Sequence, residues 1–176
     1  VHVAGEFNSW SGNATSLQPE GNGEFSVDVR DVEAGQHYRF AITNGTQTLW
    51  RNDPHAAELT NSVGDSIIVD HDAHAWNNDG VSMPTWNDLV IYEMHVGTFD
   101  PDNPTEVGNF SDVIDRLPYL ADLGVSALEL MPISEFPGDR SWGYNTSHPF
   151  SVEEVYGGVS GLKALIDQAH ALGIAV

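Results

Sequence analysis

The sequence has 176 residues, 40% hydrophobic and 10% aromatic, the composition of a packed globular chain of one average domain or two small ones. Its 26 acidic and 6 basic residues give a net charge of −20, which repels nucleic-acid phosphates and anionic membranes but not a neutral polymer. Cysteine is absent, excluding disulfides and thiolate metal sites, and no apolar run approaches the ~20 residues of a membrane helix. The acidic residues are spread along the chain, as on a solvated surface. The chain opens on Val1 and stops inside the apolar Ile174-Ala175-Val176. We therefore expect a segment of a longer protein, with one edge strand before Val1.

Residues 1–77 read as all-β. Val1–Ala4, Phe25–Val29 and His37–Ile42 alternate apolar and polar residues as half-buried strands do, and Ser66–Val69 is a short buried run. Gly21-Asn22-Gly23, Ala34-Gly35, Asn44-Gly45 and Val63-Gly64-Asp65 separate them as turns. This spacing predicts a small sandwich. Residues 78–86, with Asn78-Asp79-Gly80 and Pro84, predict a linker, and residues 87–176 a second region of different rhythm.

There, Leu89–Val96 is nearly continuous in apolar residues, the pattern of a parallel strand buried on both faces. A helix is predicted from Asp112, with Ser111 as N-cap, Gly124 as stop and Pro118 as an internal kink. The strand Val125–Met131 follows, then a long loop over 133–159. A second helix runs from Ser160 to Gly173, and Ile174-Ala175-Val176 opens a third strand. Strand, helix, strand, helix, strand implies right-handed parallel crossovers.

The loop after the second strand is the richest in chemistry: Glu135-Phe136-Pro137-Gly138-Asp139-Arg140-Ser141-Trp142-Gly143-Tyr144-Asn145. Loops at the carboxyl ends of barrel strands form the active face. Trp142 and Tyr144 either present flat rings to the apolar faces of a sugar or pack the loop down. His95, near the end of the first strand, either faces a substrate or is a buried, hydrogen-bonded imidazole.

YEMHVGTF (Tyr92–Phe99), LPYLADLGVSALELMPISEFPGDRSWGYN (Leu117–Asn145) and FSVEEVYGGVSGLKALIDQAHALGIAV (Phe150–Val176) resemble the first two and a half β/α units of glycoside hydrolase family 13, over about half the chain. Branching enzymes acting on 1,4-α-glucans and malto-oligosyltrehalose trehalohydrolases share its YE-x-H-x-G strand and W-G-Y loop. The resemblance implies that Tyr144 lines the sugar subsite at the cleavage point and that its neighbours, Trp142 and Asn145 among them, help shape it, Asn145 standing where relatives carry Asp, Gln or another polar residue. The family's catalytic Asp, Glu and second Asp follow strands four, five and seven. All three would fall beyond Val176, so no catalytic residue is assigned and the chain alone is expected to be inactive. Glu93 and Glu129 are expected to be structural; nothing identifies the ~5 Å carboxyl pair of a retaining enzyme.

Phe7-Asn8-Ser9-Trp10, His37-Tyr38-Arg39-Phe40, Trp50-Arg51-Asn52-Asp53-Pro54 and Asn61–Val69 resemble family 48 carbohydrate-binding modules, implying an immunoglobulin-like, early-set β-sandwich over 1–77. The glycogen-binding version stacks two Trp on glucose rings, matching Trp10 and Trp50, with a basic contact at Arg39 and a polar one at Asp65. Trp10 could instead pack into the core, the module serving as a brace. The expected partner is thus an α-glucan (glycogen, starch or maltooligosaccharide), with no nucleic acid, no membrane, no cofactor, no metal and a cytoplasmic setting. Asp70-His71-Asp72-His74 reads as a solvated turn, and Asp100-Pro101-Asp102-Asn103 lacks the glycine and distal Glu of a calcium loop.

Overall fold

The computed structural model describes residues 1–77, 81–99 and 105–176. Asn78-Asp79-Gly80 of the expected linker and the acidic run Asp100–Asn103 lie outside the described residues.

The N-terminal region is built on β5 (His37–Asn44), whose eight residues pair antiparallel with β1 (His2–Gly5), β6 (Gln47–Arg51) and β7 (Ser66–Ile67). β2 (Thr15–Ser16) extends the sheet beyond β1. β3 (Gln18–Gly21) and β4 (Glu24–Ser26) form a separate hairpin. The expected strand Phe25–Val29 is therefore shorter, and β2, β3 and β6 are additions. Val27 and Val29 nonetheless face inward. With Val3, Phe25, Tyr38 and Phe40 they line an apolar space of about 500 Å³ between hairpin and sheet.

The C-terminal region opens with β8 (Ile91–Met94), which pairs parallel with β9 (Ala127–Leu130), Tyr92 opposite Leu128. Ala175 adds a third parallel contact to Ala127. The connection from β8 to β9 is α1 (Phe110–Asp122). Its buried residues Phe110, Val113, Leu117 and Leu120 recur at helical spacing and pack on Met94 and Leu128. Such burial contributes roughly 1.5–3 kcal/mol for each large side chain. The N-cap is Asn109, not Ser111. Asn109 Oδ1 accepts from the N–H groups of Ser111 and Asp112, while Asp112 Oδ2 accepts from Asn109 N–H at 2.8 Å. The reciprocal pair outcompetes Ser111, which sits one turn position too far in. The helix continues past Pro118 to Asp122 because its core-facing side chains remain buried.

The expected loop 133–159 is not irregular. It contains an antiparallel pair, β10 (Ser134–Glu135) and β11 (His148–Val152). α2 (Gly158–Ala171) begins two residues before the expected start. The two regions meet here. Val152 N–H donates to Ala57 O at 3.0 Å and Ser151 Oγ to Ala56 O at 2.6 Å. Asn77 donates backbone and side-chain N–H groups to the buried Asp167 of α2, each at 3.0 Å. The N-cap of α2 is Gly157, at φ 108°, which has no side chain to offer. The missing acceptor comes from the other region: Glu58 Oε2 receives Val159 N–H at 3.2 Å. A carboxylate at a helix N-terminus satisfies an orphan donor and complements the dipole. Among the described residues no helix is long and apolar enough to cross a membrane.

Glu58→Ala is expected to lower stability by about 1 kcal/mol and to speed hydrogen exchange at the Val159 amide. Glu58→Gln, which keeps an acceptor, should lose less. Denaturant melts with amide exchange on both variants check this.

Candidate functional site

The carboxyl ends of β8 and β9 point the same way because the strands are parallel. His95 leaves the end of β8, and Pro132 lies just past β9. Gly143 (φ 84°) rests on Pro132, so closely that an added Cβ would come within 2.4 Å of the Pro132 carbonyl oxygen. Only glycine combines that φ with that approach. The turn on either side therefore stands at the carboxyl-end rim, projecting Trp142, 62% exposed, and Tyr144, 73% exposed. Tyr144 stands open to solvent, and Trp142 also lies against the His95 ring. Within the turn, Ser141 Oγ accepts Gly143 N–H at 3.0 Å and donates to Asn145 Oδ1. Asn145 thus acts first as a fastener of the turn.

His95 holds the turn from the other strand. Its Nε2 lies 2.8 Å from Ser141 O and 3.1 Å from Tyr156 Oη, and Nδ1 lies 3.0 Å from Thr98 Oγ1. Its ring sits 4.8 Å from that of Trp142. His95 is half-buried and hydrogen-bonded, and it lines a cleft of about 460 Å³ together with Trp142, Thr98, Arg140 and Tyr156. Tyr156 and Arg140 were not singled out by sequence reasoning. The only trace of Tyr156 was an aromatic residue before Gly157-Gly158, which reads as a helix start.

Two further acids were missed. Glu135 and Glu153 are 1% and 2% exposed and serve as backbone acceptors. Glu153 receives Phe136 N–H at 2.9 Å and Glu135 receives Glu154 N–H at 3.2 Å. They fasten β10 to the turn that precedes α2, beside a space of about 260 Å³ shared with Asn61, Ser62 and Val63. Burial, then the charge of Glu153, pushes Glu135 up to about 7. Burial also raises Glu153, despite its backbone donors. Glu93 and Glu129 are register partners on the ladder and are exposed, on the face away from α1. They stand on an open sheet face.

In the N-terminal region, strand parity puts Arg39, Ala41 and Trp50 on one face of the sheet. The Trp50 ring lies against Gly12, in the loop that carries Trp10. Trp10 and Trp50 are 36% and 38% exposed, so Trp10 is not a core residue. Its backbone is left-handed at φ 59°. Arg39 Nε donates to Asp65 Oδ1 at 2.5 Å, and a second guanidinium N–H donates to Val63 O. The two expected polar contacts are therefore each other's partners. Asp70 Oδ1 accepts Asp72 N–H, and His74 stacks edge-on with Trp76. Among the described residues no group of three or more His, Asp or Glu is arranged to hold a metal.

Residues 90–176 match the family model described as alpha amylase, catalytic domain. The malto-oligosyltrehalose trehalohydrolase of Saccharolobus solfataricus is 36% identical over 161 residues, covering 91% of this chain and 27% of that protein. The 1,4-alpha-glucan branching enzyme GlgB of Pseudoalteromonas atlantica is 32% identical over 190 residues, covering 100% of this chain and 26% of that protein. A crystal structure of a Salmonella typhimurium protein described as an alpha amylase superposes with a TM-score of 0.82 at 36% identity, over 90% of this chain and 26% of that one. The chain thus spans about a quarter of the length of these relatives.

A carboxyl group raised in the folded state holds its proton more tightly there than in the unfolded chain. The stability that Glu135 contributes is therefore complete below about 4.5 and is lost as pH rises through about 7. The slope is at most about 1.4 kcal/mol per pH unit. The neighbouring acids Glu153, Glu154 and Asp139 titrate too, so the comparison is with Glu135→Gln. Thermal melts across that range should show the wild type losing stability relative to the variant.

Proposed function

The chain belongs, through residues 90–176, to the alpha-amylase catalytic-domain family, and from that premise we propose that it is the glucan-recognising opening segment of an enzyme that cleaves α-1,4 bonds. The observation that carries this reading is the pair of exposed rings, Trp142 and Tyr144, held up at the rim where β8 and β9 end. Glucose rings offer apolar faces to such aromatics, while hydroxyls find donors and acceptors at Asn145 and Arg140, beside the His95 ring. A surface of net charge −20 suits a neutral polysaccharide and disfavours nucleic acid or anionic lipid.

The catalytic carboxylates of a retaining mechanism belong to later strands of such a barrel. The chain on its own is then a binder, not a catalyst, because a closed barrel takes roughly 250 residues. In the whole protein we favour 1,4-α-glucan branching, in which a glucosyl intermediate passes to a sugar 6-hydroxyl. The similarity to the branching enzyme over the full chain supports this. Release of trehalose is the alternative, supported by the similarity to the trehalohydrolase. Residues 1–77 act as a carbohydrate-binding-module-like β-sandwich. The contacts of Ala56, Ala57 and Glu58 with β11 and α2 support a bracing role, and the exposed Trp10 and Trp50 support a glucan contact of its own.

Maltoheptaose should quench the tryptophan fluorescence of the chain. Trp142→Ala and Tyr144→Ala should each weaken that binding by roughly threefold to tenfold, the loss of one ring contact. No saturable quenching by the wild type would sink the reading. The full-length gene product on amylose distinguishes the reactions: new α-1,6 linkages support branching, and trehalose released from maltooligosyltrehalose supports the alternative. Retardation in a glycogen gel that survives Trp142→Ala but is lost in Trp10→Ala and Trp50→Ala would assign the second contact to the N-terminal region.

A further inference from the structure

Tyr156 is the largest of the fully buried side chains, 1% exposed. Its ring packs edge-on against Phe110 and Phe136, with centroids 6.0 and 5.7 Å away. A buried phenol oxygen calls for a hydrogen-bond partner, and His95 Nε2 lies 3.1 Å from this one. The approach depends on Gly97, because a Cβ there would come within 3.1 Å of Tyr156 Oη and 3.0 Å of His95 Cε1.

The protonation pattern follows from the partners. Ser141 O, 2.8 Å from His95 Nε2, can only accept. Nε2 therefore carries the hydrogen. Nδ1 keeps its lone pair and accepts from the Thr98 hydroxyl at 3.0 Å. Tyr156 Oη, 3.1 Å from Nε2, shares that hydrogen as a second acceptor.

We infer that Tyr156 is a positioning residue for the rim: the Ser141 carbonyl fixes His95 as the Nε2–H tautomer, the Tyr156 hydroxyl holds that imidazole in place from its other side, and the ring so held sets the plane of the Trp142 ring that receives a glucose unit. The inference rests on the glucan reading for its ligand, but its tautomer does not depend on any ligand. Burial, followed by the charge of Glu153, pushes the phenol up to about 12, so the hydroxyl stays neutral over the working range. The hydroxyl never meets the sugar; it acts only through His95 and the Ser141-Trp142 turn.

Nitrogen NMR of the His95 ring in the 176-residue chain, together with maltoheptaose titrations followed by tryptophan fluorescence, tests this. Tyr156→Phe keeps the ring contacts and removes only Oη. It should shift the His95 Nε2 resonance while the Nε2–H tautomer persists, and weaken maltoheptaose binding by roughly threefold to tenfold, the range of one lost hydrogen bond. Phe136→Leu thins the same packing and leaves Oη in place. It should lower the melting temperature while leaving the tautomer and the affinity as they are, which a merely structural Tyr156 would not explain. Thr98→Val should retain the Nε2–H tautomer. The inference is overturned if wild-type His95 is the Nδ1–H tautomer, if Tyr156→Phe changes neither readout, or if Thr98→Val alone switches the tautomer. A wild type that binds no maltoheptaose but shows a Tyr156-dependent Nε2 resonance overturns the glucan reading and leaves the positioning role standing.

Discussion

The parallel pairing of β8 with β9 is the constraint from which the rest of the C-terminal region follows. Two parallel strands cannot be joined by a tight turn, so the chain must cross back over the sheet, and α1 does so. That helix buries Val113, Leu117 and Leu120 on Met94 and Leu128, covering one face of the pair. The same geometry brings both carboxyl ends to one side, where His95 from one strand meets Ser141 from the loop after the other. An antiparallel pair would have put these residues at opposite ends, and the cleft beside Trp142 would not form.

The N-terminal region touches this arrangement at the segment that needs support. The long excursion between β9 and α2 would otherwise leave orphan donors at β11 and at the start of α2. Ala56 and Ala57 accept from β11, and Glu58 supplies the cap that Gly157 cannot. On the other side of the excursion, Glu135 and Glu153 accept backbone N–H groups from within dry surroundings. Buried carboxylates of this kind cost free energy when ionised, so the loop is fastened by groups whose charge depends on pH. The rim carrying Trp142 and Tyr144 is therefore held at three places: by His95, by the acid pair, and by the N-terminal region behind it.

Local pattern accounts for what could be read early. The parallel strand through Ile91, the helical spacing of Val113, Leu117 and Leu120, and the stop at Gly124 depend on neighbours in the chain and appear in the structure. The strand, however, is limited to Ile91–Met94 and is open on one face where burial on both was expected, because no described element covers that side. Trp142 and Tyr144 were legible as candidate rings, but the left-handed turn at Gly143 that holds them up depends on its approach to Pro132. The misplaced cap at Ser111 is also instructive. Serine was a sound choice by residue type, but Asn109 and Asp112 satisfy each other across three residues, and the reciprocal pair outweighs a single hydroxyl. β10 and β11 were not legible because twelve residues separate them, and their sequences carry no alternation strong enough to announce a ladder.

By itself the sequence determined the order of elements, the change from strand rhythm to strand-and-helix rhythm, the candidate rings at Trp10, Trp50, Trp142 and Tyr144, and the exclusion of thiolate chemistry. These are properties of composition and short-range periodicity. Only the tertiary structure decided that Tyr156 stands behind His95, that Arg39 and Asp65 are bound to each other, that Glu58 caps a helix 101 residues away, and that Glu135 and Glu153 are dry. Each of these depends on a long-range contact, and the burial and partners of a polar group are set by what the rest of the chain brings to it, not by the residues beside it.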